Sequence, residues 1–506
     1  MMSSEDRTLA PAVDPSFDPS TGEQTGEVAH STPEQVSRVL SRAKQAESVL
    51  SAVSPETREA WISAAADAVL ADGELLVELA RSETGLGLGR LQGELARMAA
   101  SAKFYAAVAR EGSYLRVSSD ELESGSTLVR WNIPVGVVAV FGASNFPFGF
   151  GVFGHDVASA LAAGCPVVVK AHPAHPRLSV RLGDVVRNAL HEAGAPEGAF
   201  DLVVGFDSGL QLVDSDVVRA VAFTGSQRGG MAIVERAADR GIPVFAEMGT
   251  VNPVLVTPVA AADRESIAQG FVDSFTLGAG QFCTKPGLIL VPAGHGFIAA
   301  IEEAVSRVPA APLLTAGIAA GYERGLAELA AESARPSSAA STDDRLSGYA
   351  ATARVFAVTL DRLTPGSRLL EECFGPVALV AEYDDLGSAL EALDRLSPSL
   401  AASVFTGGED DDAARTAIAR LAHRVGRVAV NNWPTGVATS WSQQHGGPWP
   451  ATSRSDATSV GAGGLDRFMR PTSLQNASPS QLPLLLQREN PWNLPRRVNG
   501  RLTLPR

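Results

Sequence analysis

Residues 135–141 read Val-Gly-Val-Val-Ala-Val-Phe, an unbroken apolar run with no polar position. The run is far too short to cross a membrane. A strand without polar positions must instead be covered on both faces, as happens in parallel sheets flanked by helices. This one run therefore constrains the fold more than any other feature. The sequence beyond it alternates accordingly. Helical patterns at 152–163, 178–193 and 228–240 separate short strand patterns at 166–170, 202–204, 220–223 and 243–246. A second series follows, with strands expected at 252–256, 288–291, 377–380 and 402–405. Its helices are expected at 266–275, 296–308 and 413–423. The expected fold class is α/β with parallel sheets.

The flanking regions differ in character. Residues 32–112 repeat apolar positions at helical spacing, and Ser31, Thr32 or Ser54 can cap helices there. Residues 114–131 read as a hairpin broken at 120–125. Residues 330–343 are rich in Ala and Ser and read as a surface connection. Beyond Gln443 the chain is rich in Gly, Pro, Ser and Thr, and 479–506 carries five prolines, as an extended arm would. No internal repeat is visible.

Composition excludes several function classes. The net charge is −14, which argues against non-specific nucleic-acid binding. The three cysteines (Cys165, Cys283 and Cys373) are too few for a disulfide framework and suit a reducing compartment. No CxxC pair or zinc-like histidine array occurs, so no metal site is expected. The first 18 residues lack an apolar signal core, and no run is long enough for a membrane span. The expected location is the cytoplasm, with no membrane partner.

Chemistry concentrates in a few places. Cys283 lies in Gly278-Ala279-Gly280-Gln281-Phe282-Cys283, where a glycine-rich backbone lets a carbonyl approach a thiol. A thiolate attacks an aldehyde to give a thiohemiacetal, and hydride loss then leaves a thioester. A small buried cysteine of no chemical consequence fits the same position. Cys165 reads as a packing residue, and nothing nearby in sequence activates Cys373. Glu247, expected just after a strand, can activate water for thioester hydrolysis, although an isolated glutamate is more often exposed or ion-paired. Asn145 can donate to an oxyanion together with the Cys283 backbone N–H, or simply form a turn before Phe146-Pro147.

Phe223-Thr224-Gly225-Ser226, with Gly229 close behind, leads from a strand into a helix and can seat a pyrophosphate. It lacks the GxGxxG pattern, and a plain strand–helix turn reads the same way. Lys170, at a strand end, faces the crevice where nucleotides bind parallel sheets, or else plain solvent. Glu371-Glu372-Cys373-Phe374-Gly375-Pro376 offers a carboxylate for ribose hydroxyls and a ring for stacking, or an ordinary loop.

Taken together, these segments resemble the aldehyde dehydrogenase superfamily over roughly residues 16–475. The resemblance implies nucleotide-binding and catalytic parallel-sheet domains plus a small β oligomerisation arm. Residues 1–113 and 135–248 match the nucleotide-binding domain, and 249–440 the catalytic domain. Residues 114–134 and 441–506 match the oligomerisation strands and C-terminal arm. Cys283 matches the nucleophile, Glu247 the general base and Asn145 the oxyanion donor. Lys170 matches the adenosine-ribose contact, Ser226 the phosphate contact, and Glu372 and Phe374 the nicotinamide-side contacts. The strands near 114–131 and the Pro-rich tail suggest intersubunit contacts, so a homodimer or homotetramer is expected.

Within the superfamily, 144–148, 158–176 and 445–453 resemble the 2,5-dioxopentanoate (α-ketoglutarate semialdehyde) dehydrogenase branch. Residues 459–461, 467–471 and 475–476 agree. That branch oxidises 2,5-dioxopentanoate to 2-oxoglutarate. Long-chain aldehyde dehydrogenases of luminous bacteria share part of the pattern. Departures lie at His155, where glycine is expected, and at Gly149 and Gly151, where bulkier residues are expected. All three follow Asn145 and bear on substrate size. Family members that select NAD often carry a glutamate three residues after the strand-end lysine. Here Pro173 stands there, so NADP is the expected cofactor, with NAD as the alternative. A carboxylate on the substrate needs a cationic anchor, and Arg97 is the candidate, with Phe146 lining the same space. Two other readings stay open: acyl transfer to CoA, and a non-catalytic nucleotide-binding protein on this scaffold.

Overall fold

The computed structural model describes residues 12–332 and 347–505. The α/β expectation is met. Five parallel strands form the first sheet, in spatial order Phe200–Val203, Val167–Lys170, Val137–Phe141, Val218–Gly225 and Val244–Met248. Chain order reverses beside Val137–Phe141, and the crevice outside the strand ends at such a reversal is where nucleotides bind. Six parallel strands form the second sheet, in order Arg354–Val358, Val377–Tyr383, Leu288–Pro292, Pro253–Val256, Ser399–Phe405 and Val425–Val430.

The apolar runs are explained by where alternate residues go. Val138 and Val140 join one core, while Val137 and Ala139 join another on the opposite face. Leu288 and Leu290 likewise face one cluster, and Ile289 and Val291 a second. Each such large side chain stabilises the fold by about 1.5–3 kcal/mol through burial. A charge at Val140 would have no face on which to reach water.

Four helices, Pro33–Ala52, Pro55–Ala71, Gly73–Thr84 and Leu88–Glu111, occupy the expected helical region. Thr32 and Ser54 cap the first two, the former through a reciprocal capping box with Gln35. Ser31 does not cap a helix; its hydroxyl accepts from Val204 N. The hairpin Val117–Glu121 with Thr127–Pro134 forms as read, and Thr127–Pro134 also pairs antiparallel with Met469–Gln475. Residues 496–498 and 501–503 extend this sheet.

The differences have physical causes. Arg354–Val358 and Val425–Val430 are the sheet edges; in Val425–Val430 the open side admits Arg427, which interrupts the apolar pattern. Ala316–Glu332 is a helix in which glycines dilute the periodicity, and it includes 330–332, read from sequence as connection. Most of 330–343 lies outside the described residues. The stretch 441–460, read as the start of an arm, packs against Val244–Met248. Met248 N donates to Ala451 O at 2.9 Å, and Ser453 N donates to Ala246 O at 3.0 Å. No helix among the described residues is long and apolar enough to cross a membrane.

Candidate active site

The turn before Cys283 is unusual backbone. Gly278, Ala279 and Gly280 all have positive φ, at 58°, 56° and 67°. Gly280 is required twice over: for that φ, and because a Cβ would lie 2.1 Å from Gly375 O. The turn delivers Cys283 half-buried at the start of the segment leading to Leu288–Pro292. Asn252 fixes the same segment. It is fully buried, and its Nδ2 lies 2.8 Å from Cys283 O and 3.1 Å from Lys285 O. Sequence reasoning reads Asn252 only as the start of a strand.

Glu247 sits inside the strand Val244–Met248 rather than just after it, and is buried. Its Oε2 accepts from Ser459 Oγ. Its Oε1 lies 2.8 Å from His445 Nε2, in ion-pair contact but without hydrogen-bond alignment. The same Nε2 lies 3.6 Å from Cys283 Sγ. Donor atoms of Glu247, Cys283 and His445 all lie within 4.8 Å of one another. His445 is 1% exposed. Burial opposes its charge, but the Glu247 carboxylate and Cys283 outweigh burial and lift its pKa to about 10. Sequence reasoning misses His445. Its only signal is its place in the Gly/Pro-rich stretch quoted for the family resemblance.

Asn145 is brought to the same place. Its Nδ2 donates to Gln281 O at 2.8 Å, and the carboxamide has a second N–H to offer another acceptor. Arg90 Nη2 donates to Asn145 O at 2.7 Å, and Glu94 Oε1 accepts from Phe148 N and Gly149 N, each at 3.0 Å. One helix, Leu88–Glu111, thus clamps the Asn145 loop at two points. The Arg90 guanidinium lies between two rings, 5.2 Å from Phe146 and 4.9 Å from Phe282. Arg97, on the same helix, is exposed.

Phe146 is half-buried and meets Phe282 edge-on at 4.9 Å. Ala143, Phe150 and Val460 form a small apolar cluster with Phe146 and Val437 at its margin. Gly151 is explained by close backbone approach, since a Cβ there would lie 2.0 Å from Pro147 O. His155 Nδ1 shares a hydrogen bond with Tyr105 Oη at 2.9 Å, and its ring lies against those of Tyr105 and Phe150. Burial drives its pKa down to about 3, with His445 and Arg467 adding to the effect. The other thiols are placed for packing. Burial pushes Cys165 up to about 12 and raises Cys373 as well.

The residues expected to hold a dinucleotide surround the crevice of the first sheet. Thr224 and Gly225 end the strand Val218–Gly225, and Ser226 caps the helix Gln227–Ala238 by accepting from Gly229 N at 3.2 Å. Thr224 Oγ1 is buried with no hydrogen-bond partner among the described residues. The Phe223 ring lies over this turn, within 2.8 Å of where a Cβ on Gly225 would stand. Glu372 exposes part of its side chain, but Oε1 is enclosed and likewise has no partner among the described residues. Burial raises its carboxyl to about 7, against the pull of Lys285 and Arg368. Phe374, two residues on, is half-buried. Two orphaned polar atoms and a capped helix start fit a ribose–phosphate ligand. Lys170 ends the strand Val167–Lys170, and burial lowers its pKa while Asp14 opposes that shift.

Comparison with known proteins agrees with this geometry. The family model described as "Aldehyde dehydrogenase family" matches residues 10–469. Alpha-ketoglutaric semialdehyde dehydrogenase 2 of Azospirillum brasilense is 40% identical over 484 residues, which is 92% of this chain and 91% of that protein. The alpha-ketoglutaric semialdehyde dehydrogenase of Acinetobacter baylyi is 39% identical over 443 residues, covering 85% of this chain and 84% of its own. Among solved structures, a mutant of aldehyde dehydrogenase C of Pseudomonas syringae, in complex with NAD+ and octanal, is similar in fold. Its TM-score is 0.79 at 22% identity, over 94% of this chain and 95% of its own.

Proposed function

The chain belongs to the aldehyde dehydrogenase family, and from that premise we propose that it oxidises 2,5-dioxopentanoate to 2-oxoglutarate with NADP preferred over NAD. The observation that carries the catalytic part is the convergence of Cys283, Glu247 and the Asn145 loop from three distant chain segments. Cys283 attacks the aldehyde carbon, and the Asn145 carboxamide stabilises the oxygen as it gains charge. The nicotinamide, when bound, takes the hydride. Glu247 then accepts a proton from water as it attacks the thioester. Thr224, Ser226, Glu372 and Phe374 would hold the dinucleotide, and Lys170 its adenosine ribose.

Two things support the substrate. Relatives near 40% identity act on α-ketoglutaric semialdehyde by name. The Arg90 guanidinium supplies a half-buried cation between the residues that flank Asn145 and Cys283. A second reading, a neutral medium- or long-chain aldehyde, is favoured by the apolar cluster of Ala143, Phe150 and Val460. Glu247 favours water over CoA as acyl acceptor. A non-catalytic role would leave the buried Glu247–His445 pair beside a thiol without purpose. The exposed Val498, Leu502 and Leu504 near the edge of the antiparallel sheet favour self-association as a homodimer or homotetramer.

The test is an aldehyde panel run with both dinucleotides, with and without CoA. The highest kcat/KM is expected for 2,5-dioxopentanoate with NADP, with free acid as the product. Higher efficiency for pentanal or decanal than for 2,5-dioxopentanoate would overturn the substrate. Acyl-CoA as product would overturn the hydrolytic route.

A further inference from the structure

We propose that a groove at the free edge of the first sheet binds a small oxyanion, a phosphate or carboxylate compound, at a place separate from the dinucleotide crevice. The strand Phe200–Val203 stands at that edge. Helices Pro33–Ala52 and Pro176–Glu192 cover its opposite faces. Val203 shares a core with Val36 and Val39 of the first helix, and Phe200 with Leu182 and Val186 of the second. Residues of both helices and of the strand enclose a cavity of 450 Å³. Small-ligand sites typically run from about 300 to about 1,000 Å³. None of Lys170, Thr224, Ser226 and Glu372 lines it.

The lining is cationic in a chain whose net charge is −14. Arg38 and Arg42 face the cavity from one helix, a turn apart, and Arg187 faces it from the other. Asp184 and Asp201 line it too, so three guanidiniums meet two carboxylates and one positive charge is left over. His30, also in the lining, is answered by Asp14 at 2.8 Å. Asp201, with its side chain 3% exposed, ties the two helices together. It accepts from Arg42 Nη2 at 2.9 Å and Nε at 3.3 Å, and Arg187 Nη1 lies 3.5 Å from its other oxygen.

Those contacts suffice to cover an open sheet edge with charge. They leave donors over. Arg42 Nη1, the Arg38 guanidinium and Nε2 of Gln35, another lining residue, have no hydrogen-bond partner among the described residues. An apolar ligand would strip water from these N–H groups and return nothing. An oxyanion accepts from all three, and charge-assisted bonds of this kind are the strong ones. Asp201 also holds the Arg42 plane in place, so little side-chain freedom is lost when an anion docks on it.

The test is calorimetric titration of the full-length protein, saturated with NAD to fill the crevice, with inorganic pyrophosphate and separately with glutarate. Saturable binding of at least one is expected. Pyrophosphate alone marks the ligand as a phosphate compound, glutarate alone as a dicarboxylate, and both mark a site that reads only the oxyanion. Arg38→Gln should weaken binding by about fivefold or more. Gln35→Glu puts a carboxylate in the groove yet keeps the capping box with Thr32, because glutamate serves that position as well as glutamine. It too should weaken binding by about fivefold, with a melting temperature no lower than that of wild type. Both variants should oxidise aldehydes at the wild-type rate. No saturable binding of either anion up to about 10 mM overturns the proposal. So does binding that either substitution leaves undiminished, because that anion sits elsewhere, as glutarate would beside Arg90.

Discussion

The ammonium of Lys285 lies 2.7 Å from the carbonyl oxygen of Cys373, fully buried and two residues from Cys283. It also donates to Val377 O at 2.8 Å and Gly375 O at 3.2 Å. All three acceptors belong to the loop that carries Glu372 and Phe374 and the strand it enters. The Cys283 segment and the Glu372 loop are thus tied by one cation. Lys285→Met should take a donor from three carbonyls, of which Gly375 O keeps Val377 N at 2.8 Å, and cost on the order of 3 kcal/mol. It should raise KM for the dinucleotide more than KM for the aldehyde, as initial rates and thermal melting will show. Lys285→Arg should not rescue it, because a planar guanidinium cannot reach three carbonyls around one nitrogen. Equal effects on both KM values would mean that the tie is merely structural.

Glu372, proposed to hold the dinucleotide, should make its binding sensitive to pH. Burial raises its carboxyl to about 7, above the ordinary glutamate range. Below that pH it is neutral; above it, the carboxylate accepts ribose hydroxyls best. Dinucleotide affinity should therefore strengthen as pH rises through about 7. The effect on folding has the opposite sign. The native protein holds this proton and the unfolded chain loses it near about 4.3. Stability from this group is complete below about 4.3 and is lost as pH rises through about 7. Glu372→Gln should abolish the pH dependence of dinucleotide Kd around neutrality and melt higher than wild type at alkaline pH. Titrating dinucleotide fluorescence across pH checks the first, and calorimetry the second.

Arg90 and Arg97 share one helix but offer different chemistry. Arg97 is exposed, and an exposed guanidinium binds a carboxylate weakly against water. Arg90 is held between Phe146 and Phe282, and its Nη1 is buried with no hydrogen-bond partner among the described residues. Its Glu94 counter-charge stands off: Oε2 is 3.9 Å from Arg90 Nε, beyond hydrogen-bond reach, and Oε1 accepts two backbone N–H groups. Arg90→Met should raise KM for semialdehydes bearing a carboxylate by about tenfold or more, and change KM for pentanal little. Arg97→Ala should change neither by more than about twofold. Equal losses for charged and neutral aldehydes in Arg90→Met would assign Arg90 to holding the Asn145 loop alone.

How much of this is legible in advance follows from what sequence can encode. The central strands can be read because each buries both faces, so that Val138, Ala139 and Val140 are all apolar. The edge strand Val425–Val430 cannot, because an open side admits Arg427 and breaks the pattern. Cys283, Glu247 and Asn145 stand out because each lies near glycine or proline in a turn or at a strand end. His445, Asn252 and Lys285 do not, because their meaning lies in contacts across long stretches of chain. A buried lysine on three carbonyls and an exposed one look alike until the loop that supplies the carbonyls is in place.

The same limit bears on cofactor choice. Sequence reasoning looks for a carboxylate three residues beyond Lys170 and finds Pro173, which is exposed. The fold brings a carboxylate from elsewhere. Asp14, on the N-terminal strand Val13–Phe17, acts on Lys170 and opposes the lowering of its pKa by burial. Its Oδ1 lies 2.8 Å from His30 Nε2, and its Oδ2 is buried without a hydrogen-bond partner among the described residues. If Lys170 holds the adenosine ribose as proposed, a negative charge here would weaken its hold on a 2′-phosphate. Asp14→Asn should therefore raise the ratio of kcat/KM for NADP over NAD by about fivefold, near 1 kcal/mol for one partly screened charge. Lys170→Met should lower efficiency with NADP more than with NAD. Initial rates with both dinucleotides at fixed aldehyde decide the matter. An unchanged ratio in Asp14→Asn would remove the strand Val13–Phe17 from cofactor selection and leave Lys170 as the discriminating charge.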